Sequence, residues 1–242
     1  MRKLLILAAL VASPLAAANE AAIRQTVEAK FSGVKVEGVS PAPVAGLYEV
    51  RVRLPDGSPQ VLYADAQAHH LFLGSLIDTR SDRNLTEERM RRLTAIDMAA
   101  LPYELAVRVQ RGNGRRTLVV FTDPYCPACQ ELEKTLIRID DITIHYFMYP
   151  VIRPELADHS RAVWCAPDRA KAWLDLALRA KPPANGANCE NPVDRVIDLG
   201  RRLGVGSTPT LFLASGERIR GGPRREQLLR MLDEALPPAK KK

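Results

Sequence analysis

The chain has 242 residues, room for one large domain or two modest ones. At 46% hydrophobic and 26% charged it reads as an ordinary globular protein, and 5% aromatic is too few rings for a single-strand nucleic-acid stacking platform. Of the net +7 charge, three units sit in Lys240-Lys241-Lys242; the remaining basic residues lie in scattered pairs such as Arg91-Arg92 and Arg224-Arg225 among acids. That pattern predicts solvated faces and no nucleic-acid partner.

Residues 1–18 read as a cleavable secretory signal peptide: Met1-Arg2-Lys3, an apolar run from Leu4 to Ala12, then Pro14 and the small residues Ala16-Ala17-Ala18. The run is shorter than the roughly 20 residues needed to cross a bilayer. The mature chain is therefore expected to be exported and soluble. In an oxidising compartment an even count of cysteines implies bridges, and the four here allow three pairings. Cys126 and Cys129 pair most naturally with each other, which leaves Cys165 with Cys189.

Residues 19–80 predict a small α+β domain. Ile23, Val27 and Phe31 recur at helical spacing until Gly33. Val34 and Val36 open a strand, and Tyr48 to Leu54 alternates apolar with polar residues as a half-buried antiparallel strand does. Pro55-Asp56-Gly57-Ser58 is a turn by composition, with further strands over 61–64 and 71–77. A sheet of this size with a free edge suits pairing with a second copy, so a dimerisation role is expected. Residues 81–102 read as a helical linker, opening at the cap Asn84-Leu85-Thr86-Glu87, with an apolar stripe too thin for full burial and an end at Pro102. An ordinary packed helix leaves the same pattern.

Residues 103–238 predict an α/β domain, followed by a basic tail at 239–242. Strand 117–122 leads into a helix to about Ile139, and strand 142–149 ends at Pro150. One long helix is expected from Asp158 to Ala180 and another from Val193 to Leu203. Ser207-Thr208-Pro209 then turns into strand 210–214, a hairpin to 218–220 and a final helix carrying Leu228, Leu229, Leu232 and Leu236.

The chemistry resides in Cys126-Pro127-Ala128-Cys129, at a strand-to-helix junction. Two thiols at this spacing close and reopen a small disulfide ring, and a helix N-terminus favours the anionic form of the first sulfur. Cys126 is thus the expected attacking thiolate and Cys129 the resolving thiol. A zinc site built from all four cysteines is the rival, weakened because Cys165 and Cys189 are widely separated where zinc sets show two close pairs. A non-catalytic binding protein using the front sheet is the third reading.

The run Phe121-Thr122-Asp123-Pro124-Tyr125-Cys126-Pro127-Ala128-Cys129, with the late Thr208-Pro209, resembles the thioredoxin superfamily. Ala21-Ala22-Ile23, Pro41 to Gly46, Val163-Trp164-Cys165-Ala166 and Leu203-Gly204-Val205 extend the likeness to the DsbC family of periplasmic disulfide isomerases, over nearly the whole mature chain. The resemblance implies a cystatin-like front domain that dimerises, a helical linker, and a thioredoxin-like domain with a helical insertion. It implies a cis-proline at Pro209 beside the thiols, with Thr208 before it as a substrate-binding residue, and a structural Cys165–Cys189 bridge. It further implies a V-shaped homodimer, misfolded or mis-oxidised exported proteins as substrates, chaperone-like holding, a membrane thiol reductase of the DsbD type as electron donor, and no metal or bound cofactor. A thiol oxidase or reductase of different poise is the alternative within the same chemistry. Two positions depart from the pattern. Pro127-Ala128 stands where the best-known isomerase has Gly-Tyr, and Val120 stands where thioredoxin has a buried aspartate. Asp123 is expected to be a turn or cap residue.

Overall fold

The computed structural model describes the backbone of residues 14–236 and side chains from Asn19 to Leu236. Most of the expected signal peptide, and the basic tail 239–242, lie outside the described residues. The chain divides into two units, one ending at Leu93 and one beginning at Thr94.

In the first unit, helix α1 (Pro14–Lys30) lies on an antiparallel sheet of β1 (Lys35–Pro41), β2 (Leu47–Arg53), β3 (Pro59–Asp65) and β4 (Leu71–Phe72), in that spatial order. The helical spacing of Ile23 and Val27 buries both against Val36, Val50, Val52, Leu62 and Ala64, the inward face of the alternating strands. The β2–β3 hairpin turns at Gly57, whose positive φ of 81° suits glycine, while Asp56 Oδ1 accepts from the Ser58 amide at 2.8 Å. The continuous strand expected over 71–77 is instead two fragments. β4 is the first, and β5 (Ile77–Asp78) pairs separately with β6 (Arg83–Asn84). Gly74-Ser75 interrupts the alternation between them.

Helix α2 (Leu85–Leu93) starts where the cap predicts, with Asn84 Oδ1 accepting from the Glu87 amide at 3.0 Å. It packs on β3 through a buried Tyr63–Thr86 hydroxyl pair. Between α2 and Pro102 the segment carries the 3-10 turn Met98–Ala100, capped by Asp97.

The second unit is built on a five-stranded sheet. Its strands are β7 (Val107–Arg111), β8 (Arg116–Thr122), β9 (Ile142–Met148), β10 (Thr210–Leu213) and β11 (Arg218–Arg220), in the order β11-β10-β8-β9-β7. Only β8 and β9 are parallel. Central β8 is apolar on both faces, as a strand covered on both sides must be. Leu118 and Val120 face a core shared with α3 (Pro127–Leu136), α5 (Arg169–Arg179) and α7 (Arg225–Glu234), whereas Val119 and Phe121 face α6 (Val193–Arg202). On the α6 side Phe121 stacks on Phe147 at 5.0 Å and meets Phe212 edge-on at 6.0 Å.

Two features of this unit differ from expectation. Edge strand β7 is not among the expected elements, since two cycles of alternation over five residues are too short a run to stand out. The helix expected over 158–180 is two helices, α4 (Ala157–Cys165) and α5. Pro167 cannot continue the hydrogen-bond ladder, and Asp168 caps the new helix by accepting from the Lys171 amide at 2.9 Å.

Candidate active site

The parallel pair β8–β9 ends at Thr122 and Met148, and the chain leaves β8 directly into the cysteine motif. Cys126 is the N-cap of α3, with extended backbone, and its carbonyl accepts from the amides of Cys129 at 3.0 Å and Gln130 at 3.1 Å. Pro127 occupies the first helical turn, where its missing N–H goes unused. Cys126 and Cys129 are both free thiols, and both are buried. The two sulfurs are not equivalent. Cys126 donates from Sγ to the Thr208 carbonyl at 3.3 Å, so its thiol meets the Thr208-Pro209 turn. The Thr208–Pro209 peptide is cis, and Pro209 leads straight into β10.

Cys129 lies inside the helix, and burial pushes its thiol up to about 12. Hydrogen bonds from the Asp123 backbone and the Thr122 side chain favour its thiolate, and negative charge at Cys126 opposes it. One thiol therefore sits at a helix start against the Thr208 carbonyl, and the other is held protonated by burial.

Sequence reasoning brought Cys126, Cys129, Thr208 and Pro209 forward as site residues, and the fold gathers all four at one end of the sheet. Cys165 and Cys189 are elsewhere, joined as a disulfide with Cα atoms 5.7 Å apart, tying the end of α4 to the loop before α6. Their sulfurs are bonded to each other, which removes two ligands from any four-cysteine zinc site. Among the described residues no three His, Cys, Asp or Glu side chains converge.

Three further features escape sequence reasoning. Asp123 is fully buried and makes more than a turn: Oδ1 accepts from the Tyr125 amide at 2.8 Å, and Oδ2 accepts from Val151 and Ile152 at 2.8 and 2.7 Å. The Tyr125 hydroxyl is hydrogen-bonded to His159 on α4, 34 positions away, a pairing no local motif announces. Glu133, one turn after Cys129, is buried and hydrogen-bonded by the Tyr146 hydroxyl at 2.8 Å. Burial drives its carboxyl up to about 7 against the opposing pull of Tyr146, Arg111 and Trp173. The Trp173 indole N–H makes no hydrogen bond of good geometry, yet it faces this carboxyl and favours its charge.

Known proteins match this chain over both of its units. Residues 14–87 match the family described as the disulfide bond isomerase protein N-terminal domain, and residues 103–236 match the thioredoxin-like domain. A probable thiol:disulfide interchange protein DsbC of Bordetella pertussis is 37% identical over 207 residues, covering 86% of this chain and 72% of that one. The chain belongs to the DsbC family. The thiol:disulfide interchange protein DsbC of Escherichia coli K12 is 29% identical over 230 residues, 92% of this chain and 91% of that one. A solved disulfide interchange protein from Neisseria gonorrhoeae superposes with a TM-score of 0.54 at 36% identity, covering 56% of this chain and 98% of its own. Membership in the DsbC family makes this chain a thiol–disulfide oxidoreductase with a DsbC-type front domain and a thioredoxin-like domain. Among the described residues no helix is long and apolar enough to cross a membrane.

Proposed function

We propose that this DsbC-family chain is an exported, periplasmic protein disulfide isomerase that works as a homodimer through its reduced Cys126–Cys129 dithiol. The observation carrying this reading is the inequality of the two thiols: Cys126 at the helix start beside the Thr208 carbonyl, Cys129 buried with its thiol pushed up to about 12. Cys126 thiolate attacks one sulfur of a wrong substrate disulfide. An enzyme–substrate S–S bond forms, and the other substrate sulfur leaves as a thiolate and takes up a proton. A second substrate thiolate then attacks the substrate sulfur of that bond, forming a new substrate disulfide and returning Cys126 with no net oxidation. If rearrangement stalls, Cys129 loses its proton, attacks Cys126 Sγ and releases substrate reduced by two electrons. The resulting Cys126–Cys129 disulfide needs an external two-electron donor, for which a membrane thiol reductase of the DsbD type is proposed. A resolving thiol that ionises reluctantly prolongs the mixed disulfide, which favours isomerisation over plain reduction. Thr208 and Pro209 are assigned to substrate-backbone contact, and chaperone-like holding of unfolded chains accompanies the reaction.

The test is refolding of scrambled ribonuclease by the mature chain from Asn19, together with sedimentation. A dimer that restores ribonuclease activity, with Cys126→Ala reducing the rate at least 100-fold, is the expected result. A monomer without unscrambling activity, or one that only oxidises reduced ribonuclease, sinks the isomerase reading.

A further inference from the structure

The segment after β9 sets two apolar side chains in solvent on a backbone tied to the turn that leads into Cys126. Val151 and Ile152 are 37% and 50% exposed, although β-branched residues of this size are usually buried. They are not loose. Both of their amides donate to the same buried oxygen, Oδ2 of Asp123, so the backbone beneath them is fixed. The other oxygen of that carboxyl holds the amide of Tyr125, the residue immediately before Cys126, and the Asp123 carbonyl accepts from the Cys126 amide at 3.2 Å. A single buried side chain thus ties the backbone of the apolar pair to the turn that carries Cys126. The next residue, Arg153, is close enough for its charge to act on the Tyr125 hydroxyl, which places this segment along the side of the nucleophile loop.

A substrate joined to Cys126 Sγ carries the residues flanking its own cysteine over this lip. Burying the exposed part of Ile152 and Val151 against a large apolar side chain removes water from both surfaces. We infer that Val151 and Ile152 select substrate cysteines flanked by a large apolar residue, and that Asp123 is the positioning residue that holds this lip in register with Cys126. The inference rests on the interchange reading and adds to it a substrate preference carried by named residues.

The experiment uses the reduced mature protein and two short peptides, each a mixed disulfide with glutathione, differing only in Leu or Ser next to the peptide cysteine. In the step measured, Cys126 thiolate bonds to the peptide sulfur and glutathione leaves as a thiolate that takes up a proton. The quantity read is the ratio of second-order rate constants, Leu over Ser, which a general loss of folded protein leaves untouched. A ratio of about five is expected for the wild type, falling to about one in the V151S/I152S double variant. In D123N an amide N–H replaces one acceptor oxygen, and the ratio is expected to fall below about two with Val151 and Ile152 still present. Equal wild-type rates, or a third peptide with Asp at the flank outrunning Leu, overturn the inference while leaving the interchange reading intact. A double variant that keeps the wild-type ratio also overturns it. A D123N that keeps the ratio overturns the positioning role. Should D123N not fold, the double variant on the exposed lip decides alone. A wild type that exchanges with no peptide overturns both this inference and the function on which it rests.

Discussion

Glu133 shows what a single buried carboxyl does to stability. Its pKa is raised from the ordinary glutamate value to about 7, first by burial, so the folded chain binds a proton that the unfolded chain releases near pH 4.5. The sign follows from linkage: stability from this group is fully present below about pH 4.5 and is lost as pH rises through 7. The amount is about 3 kcal/mol, undiscounted because the side chain is shielded from solvent. Glu133→Gln keeps an acceptor for Tyr146 without the charge. Urea unfolding at pH 4.5 and pH 8 should show the variant gaining on wild type by about 3 kcal/mol across that interval. An unchanged difference at the two pH values would mean that Glu133 titrates normally. Nothing in Gln130-Glu131-Leu132-Glu133-Lys134 separated this glutamate from Glu131, which is exposed. Which of the two turns inward depends on where Tyr146 and Trp173 sit, and that is tertiary information. Asp123 was legible as a turn former for the same local reason, and its two longer-range partners on the far side of β9 were not.

At the scale of elements, sequence carried most where the pattern was local. The β8 run, the cysteine helix, the Gly57 hairpin and the last helix all announce themselves by periodicity, turn chemistry or a cap. The errors fall where a short element depends on neighbours. Edge strand β7 exists because β9 offers it a pairing edge, and the α4–α5 break was missed because Ala-rich flanks outweighed the one proline at 167. The Cys165–Cys189 bridge fastens the end of α4 to the Pro/Gly/Asn-rich loop before α6, across a separation of 24 residues. A loop of that length is worth about 3–4 kcal/mol in the chain-entropy account. The double variant C165A/C189A should therefore unfold at a lower urea midpoint by that free energy, with Cys126 still reacting with small disulfides. A midpoint equal to wild type would show that the loop is held by its packing alone.

For the whole molecule, the two units keep separate cores: Ile23, Val27 and the β1–β3 residues in one, the two faces of the five-stranded sheet in the other. A chain beginning at Thr94 should accordingly fold, exchange with glutathione-capped peptides through Cys126, sediment as a monomer and lose ribonuclease unscrambling. Retention of full unscrambling would remove the front unit from the proposed mechanism. The split into a small antiparallel unit and a thiol-bearing α/β unit is readable because the alternation in β2 and the apolar run of β8 differ in kind; pairing between copies rests on the free edge of a small half-buried sheet, a weaker mark that packing alone also leaves. The disulfide in the helical insertion has a consequence for how such a chain is kept in service. Cys189 is an exposed residue, so the bridge lies near the surface of its unit. In the proposed mechanism the reductant that recharges Cys126–Cys129 must leave Cys165–Cys189 closed, so the two bonds on one chain set a window of reducing strength within which the chain stays both reduced at Cys126 and bridged at Cys165.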